Sequence, residues 1–317
     1  MEEQGIPFID KNDAAKLFLR PLFLLASVLS SPEYDYQQLE IRRHDLITDV
    51  SEPHKMVFMS DLHIRNGKYS GPEALEFIFG KIVQELTGVQ NSGLLIGGDY
   101  INKIFTPVDF GSSVPIFPKL LELLSRISNL GIPIISVEGN HDLEHPYWNS
   151  QYKPRLQDLG VKFLTPFETS YIGEIPIIGI PDYTQPQYQT WHKLSLPFMR
   201  SLIPQDAKQL VFVAHHPDSI VHLSQMIPPD IQSLILTGHS HLSGYDMDYN
   251  WIANKLGRIA LFGAKIKNVE FVKSSLSLRG NKTVINSSGL GAHPLHPPRR
   301  VRPDIYSIGF VPRSYNQ

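Results

Sequence analysis

The sequence predicts a layered α/β fold, and two observations carry that prediction. Short apolar runs that read as buried strands alternate with segments of helical spacing, giving β-α-β-α-β over the first half of the chain. The residues best suited to chemistry each stand just past one of those runs: Asp61 and His63, Asp99, Asn140 and His141, His215, then His239 and His241. Ligands of layered α/β folds gather at the C-terminal ends of strands.

Taken in order, residues 1–13 are polar and read as a loose tail. Residues 14–31, AAKLFLRPLFLLASVLSS, are the most apolar N-terminal piece. A transmembrane helix needs about 20 mostly apolar residues. Lys16, Arg20 and Pro21 interrupt this piece, and the clean run from Pro21 to Leu29 is too short to span. The acidic start Met1-Glu2-Glu3 is a poor secretory signal. An interfacial helix on a membrane surface, a helix packed on the domain, and a true anchor all remain open readings. The expected division is a tail and apolar helix over 1–35 and one domain over 36–317.

Alternating Leu39, Ile41 and Leu46 predict a strand within 36–47, and Met56–Ser60 a second. Leu75, Ile78, Phe79, Ile82 and Leu86 share a helix face over 73–87. Leu94–Ile96 is a third strand, 103–116 a loop with Pro107, Gly111 and Pro115, and 117–129 a second helix. Ile132–Val137 delivers Asn140 and His141. A proline-broken helix is expected over 146–160, short β runs over 161–181 and a helix over 190–203. Leu210–Ala214, Ser233–Thr237, Ile259–Phe262, Thr283–Asn286 and Ile305–Val311 complete the strands.

Composition excludes several classes. The formal net charge of −2 supplies no basic field, so no nucleic-acid partner is expected. The sequence has 0 cysteines, which removes disulfides, thiolate nucleophiles and zinc–thiolate sites. That fits a reducing compartment, so a cytoplasmic location is expected, at the inner face of a membrane if 14–31 lies on one.

Carboxylates, one amide and several imidazoles are a donor set for Mn²⁺, Fe or Zn²⁺ without thiolate. Two such ions can activate a water and clamp the oxygens of an in-line displacement at phosphorus. His141 follows a candidate ligand and could protonate a departing oxygen or stabilise phosphoryl charge, with Asp142 orienting its ring. Helix capping is the alternative task for Asp142. His216 is either a residue that orients a ligand or a packed histidine. Arg299, Arg300 and Arg302 could bind a second phosphate, or form a solvated loop among Pro297, Pro298 and Pro303. Tyr100 and Asn102 either line the pocket or close the turn after Asp99. His145, His192, His222, His293 and His296 are expected to be structural or exposed.

The ordered blocks Asp61-Leu62-His63, Gly98-Asp99, Gly139-Asn140-His141-Asp142, His215 and Gly238-His239-Ser240-His241 resemble the calcineurin-like metallophosphoesterases. Their pattern is D-x-H, G-D, G-N-H-[DE], H and G-H-x-H in the same order. The likeness runs from about residue 56 to 242, with an echo at Asn286–Gly291, and five ordered blocks make it specific. It implies a four-layer α/β/β/α sandwich and a phosphohydrolase with two divalent ions, manganese first. Asp61, His63, Asp99 and His241 would hold one ion. Asp99, Asn140, His215 and His239 would hold the other, with Asp99 bridging. Asn140 would also touch substrate, and His141 would be the acid or phosphate-binding group.

Within that family the apolar N-terminal segment is similar to the branch of UDP-2,3-diacylglucosamine pyrophosphatases of lipid A synthesis. This implies a lipid-linked pyrophosphate or phosphodiester substrate and contact of 14–31 with a membrane surface. The sequence departs from that branch at Ile64-Arg65-Asn66, at His216 and at Leu242-Ser243-Gly244. A phosphodiesterase or phosphatase acting on soluble nucleotides or phosphoproteins is the second expectation, and a non-catalytic scaffold the third.

Overall fold

The computed structural model describes residues 36–64, 71–102, 115–164, 168–180, 182, 200–216, 219, 227–239, 270–272, 275–278, 282–291 and 302–316. The expectations for 14–31, 190–199 and Ile259–Phe262, and most of the loop expected over 103–116, fall outside these residues. So do His192, His222, His241, His293, His296, Arg299 and Arg300.

Thirteen strands are described: β1 (Glu40–Thr48), β2 (His54–Met59), β3 (Asn91–Ile96), β4 (Ile134–Ser136), β5 (Val161–Phe163), β6 (Thr169–Ile172), β7 (Ile175–Ile180), β8 (Gln209–Ala214), β9 (Gln232–Thr237), β10 (Glu270–Val272), β11 (Ser275–Leu278), β12 (Lys282–Asn286) and β13 (Asp304–Pro312). The helices are α1 (Pro72–Leu86), α2 (Phe117–Ser128), α3 (Asn140–Glu144) and α4 (Lys153–Asp158). The strands form two sheets, ordered β1-β13-β2-β3-β4-β5 and β10-β11-β12-β9-β8-β7-β6.

Strand β2 shows why the layers form. Val57 and Met59 face one apolar cluster, with Leu75, Ile78, Phe79 and Ile82 of α1 and Leu120, Leu124 and Ile127 of α2. Met56 and Phe58 face the other way, into a cluster with Ile177, Val211, Val213, Leu234 and Leu236 of the second sheet. A strand buried on both faces reads as a continuous apolar run, which is what Met56–Met59 supplies. Helix α1 starts with Pro72 in its first turn, where a missing N–H costs nothing, and its apolar stripe recurs every three to four residues. Each such side chain contributes about 1.5–3 kcal/mol when fully buried.

The second sheet repeats the scheme. Val211 and Val213 point between the sheets, while Leu210, Phe212 and Ala214 join Ile178, Ile180 and Ile235 on its outer face. That face is buried against Ile203, Ile227 and Ile231. Helix, sheet, sheet and a covered outer face are the layers of the expected sandwich.

Registers place the strand ends level. Met59 pairs with Ile96, Ile96 with Ser136, Ile180 with Ala214, and Asn286 with Thr237. The turns after β2, β3, β4, β8, β9 and β12 therefore leave from one edge of the molecule. Three local features differ from the sequence reading. The helix expected over 146–160 is a π-turn at Trp148–Tyr152 followed by α4. The short helix α3 and the strands β10 and β11 have no counterpart in the sequence reading.

Candidate metal centre

The strand-end turns are stitched together by backbone hydrogen bonds. Asp61 N–H donates to Gly98 O at 3.0 Å, His63 N–H to Asp99 O at 2.9 Å, and Gly238 N–H to His215 O at 3.0 Å. Asp61, His63, Asp99 and His239 all have left-handed backbone, with φ of 54°, 42°, 55° and 64°. Non-glycine residues seldom sit there, and such strain collects at functional sites. The glycines of the motifs make room. A Cβ on Gly238 would lie 1.9 Å from Ser60 Oγ and 2.4 Å from Asp61 Oδ2, and one on Gly139 would lie 2.1 Å from Asp99 Oδ1.

Each ligand candidate is oriented by a second contact. His141 N–H donates to Asp99 Oδ1 at 2.9 Å, while Asp99 Oδ2 lies 3.2 Å from His215 Nε2. His239 N–H sits 3.1 and 3.0 Å from the two Asp61 oxygens. His215 Nδ1 is 2.7 Å from Gly97 O, a pure acceptor, so Nδ1 carries a hydrogen. His215 Nε2 then faces Asn140 Oδ1 at 3.1 Å and His239 Nδ1 at 3.2 Å, and Asn140 Oδ1 lies 2.9 Å from His239 Nδ1. Asp99, Asn140, His215 and His239 thus converge on one point. His63 Nε2 lies 3.6 Å from Asp99 Oδ2 and 3.8 Å from Asp61 Oδ1. Its ring meets that of His141 edge-on at 4.8 Å.

The electrostatics fit a cation. Burial pushes the Asp99 carboxyl up to about 6, and the charge of Asp61 adds to this while His215 opposes it. At His215 burial pulls down, yet Asp99, Asp61 and Asp182 outweigh it and hold the imidazole well above its usual range. Carbonyl, carboxylate and imidazole lone pairs facing one another need either a shared proton or a cation between them. Among the described residues two groups could hold an ion, His63 with Asp99 and His141, and Asp99 with His215 and His239, with the donor atoms of each group within 4.8 Å of one another.

Of the two tasks expected of Asp142, the structure shows capping rather than orientation of the His141 ring. Its Oδ2 accepts N–H bonds from Asp99 at 2.8 Å and Gly139 at 3.1 Å, and its Oδ1 accepts from Tyr100 at 2.9 Å and Ile101 at 3.3 Å. The carboxylate caps α3 and clamps the turn that bears Asp99, so its oxygens are committed to backbone rather than to the His141 ring. Burial and the charge of Asp99 push this carboxyl up, against those N–H bonds. His216 stacks on His239 at 4.3 Å, and burial lowers its imidazole to about 4. Tyr100 packs on Trp148 and bonds Ser136 Oγ at 2.7 Å, a core role. Asn102 is buried, with Nδ2 3.4 Å from His63 O. His145 is buried and held down to about 4 by desolvation. Arg302 is exposed, and its carbonyl accepts from Ser288 Oγ.

Two residues escaped the sequence reading. Asp182 is buried just past β7 and acts electrostatically on His215 and His216. Its signal was present: an acid directly after an apolar run, as Asp61 follows β2. Asp304 opens β13 and is fully buried.

Fold and site together define a metal-dependent phosphoester hydrolase. The profile described as calcineurin-like phosphoesterase matches residues 54–254, which contain all five motif blocks, and the chain belongs to that family. No match was found among curated proteins.

Proposed function

We propose that this hydrolase works with two divalent ions, manganese first, bridged by Asp99. The observation that carries this is the meeting of Asp99 Oδ2, Asn140 Oδ1, His215 Nε2 and His239 Nδ1 at 2.9–3.2 Å. Asp61, His63 and Asp99, completed by His241, would hold the neighbouring ion. When bound, the ions supply an activated water and charge stabilisation for the phosphoryl oxygens. The chain does the rest. Gly97 O fixes the His215 tautomer, His141 N–H fixes the rotation of Asp99, and His239 N–H holds Asp61. His141, tethered to Asp99 and packed against His63, would give a proton to the departing oxygen, and Asn140 would also touch the phosphoryl group.

For the substrate we infer a pyrophosphate or phosphodiester in a lipid-linked nucleotide of the UDP-2,3-diacylglucosamine type. The support lies in the sequence: the apolar segment 14–31, which would lie on the inner face of a membrane, and the cluster Arg299, Arg300 and Arg302. The test offers the full chain with Mn²⁺ both that lipid nucleotide and bis-p-nitrophenyl phosphate. Cleavage of the lipid nucleotide to UMP is expected. Asp99→Ala is expected to lose activity by at least about a hundredfold, the scale of removing a stabiliser of transition-state charge. Turnover of the generic diester alone, unchanged after removal of residues 1–31, would exclude the lipid substrate and leave a soluble ester in its place.

A further inference from the structure

Asp304 lies at the start of β13, next to Pro303 and far in sequence from every motif block. Because β13 runs antiparallel to β2, with Tyr306 opposite Phe58, its first residue stands beside the end of β2 that carries Asp61. The side chain is fully buried. Its Oδ1 accepts from Ser287 Oγ at 2.8 Å and Ser288 N at 3.0 Å. Its Oδ2 accepts from Tyr306 Oη at 3.2 Å and faces Arg42 Nε at 3.4 Å. A buried carboxylate with these partners is costly to place and rigid once placed.

The contacts run onward to the metal centre. Ser287 Oγ, bonded to Asp304, accepts from Gly289 N at 2.9 Å. Gly289 has φ +76°, and a Cβ there would lie 2.6 Å from Asp61 Cβ. Leu290 and Gly291 donate their N–H groups to Asp61 O at 3.2 and 2.7 Å. A Cβ on Gly291 would meet Leu62 O at 2.1 Å and His63 Cβ at 2.9 Å. The loop 287–291 is thus the wall behind Asp61-Leu62-His63, and Asp304 is what the loop is fastened to.

We propose that Asp304 is a positioning residue for the Asp61/His63 half of the metal centre, acting through Ser287 and Gly289. This rests on the two-ion reading above. In the other half, His215 is held by Gly97 O and Asp99, away from this loop, while His239 touches it indirectly, through Ser287 N–H on Thr237 O at 2.8 Å and its own N–H on Asp61. Loss of the carboxylate should therefore loosen the ion at Asp61 and His63 more than its neighbour.

The test titrates the full chain with Mn²⁺ calorimetrically, for wild type, Asp304→Asn and Ser287→Ala, with thermal melts alongside. Ser287→Ala removes one hydroxyl and keeps the buried charge paired, so it serves if Asp304→Asn does not fold. The expected result is one ion weakened by about tenfold or more and the other clearly less, with kcat reduced and KM little changed. Two ions bound with wild-type affinity by a folded variant would overturn the proposal. So would equal weakening of both ions in step with the melting temperature, which marks general destabilisation. Failure of the two-ion reading itself looks different: the wild type would then bind fewer than two ions.

Discussion

Four residues of the centre, Asp61, His63, Asp99 and His239, hold a backbone conformation that costs a non-glycine residue roughly 1–3 kcal/mol. Their side chains reach one point only because the neighbouring glycines let turns lie against them. Gly238→Ala tests this directly. The added methyl would strike Ser60 Oγ and Asp61 Oδ2. A shift of about 1 Å at a reacting centre can cost about a hundredfold in rate, so a loss of that order in kcat/KM is expected from steady-state kinetics. Wild-type kinetics would mean that the close packing at Asp61 does not position the ligand. At this scale the sequence was a good guide to which residues gather and a weaker one to what each does. Motif spacing told that Asp142 belongs to the centre. It could not tell that the backbone N–H groups of Asp99, Tyr100 and Ile101 would join that of Gly139 on its oxygens, because those three donors come from a different turn.

Among the elements, the buried strands and α1 and α2 were legible because each has an apolar face at its own period. What was not legible was set by tertiary contact. The π-turn at Trp148–Tyr152 sits where Trp148 Nε1 donates to Glu138 Oε1 at 2.6 Å and the indole packs edge-on to Phe163. Strands β10 and β11 are short, and β11 takes its place by pairing with β12. One polar residue joins four elements. Glu85 near the end of α1 bonds Arg43 of β1, Lys55 of β2 at 3.1 Å and Ser307 of β13 at 2.7 Å. Burial opposes its ionisation, yet these partners hold the carboxyl down at about 2, against an ordinary 4.5. A carboxyl depressed on folding stabilises above its unfolded pKa and loses that contribution as pH falls through its folded value. Glu85 should therefore support the fold fully above about pH 4.5 and progressively less toward about pH 2. Allowing for screening at the exposed Arg43, this amounts to about 2 kcal/mol. Glu85→Gln is expected to lose about that much at pH 7 in urea melts, and to show a flatter fall between pH 4.5 and 2. An unchanged acid limb would mean the ion cluster is solvated and idle.

In the whole molecule, two sheets packed face to face bring strand ends from both sheets to one edge, and the chemistry is assembled there from turns that are far apart in sequence. The layered class followed from alternation alone. The four-layer form and the metal ligands followed from the family likeness, which the profile match over 54–254 bears out at the level of family and fold. No helix among the described residues is long and apolar enough to cross a membrane. In the proposed function this edge holds two ions side by side, with Asp99 between them. Electron paramagnetic resonance of the Mn²⁺-loaded chain tests it most directly, because ions about 3.5–4 Å apart couple magnetically. The expected result is two Mn²⁺ per chain with a coupled spectrum in the wild type, and only uncoupled ion in Asp99→Ala. A single uncoupled Mn²⁺ in the wild type, or a coupled pair that survives loss of Asp99, would contradict it.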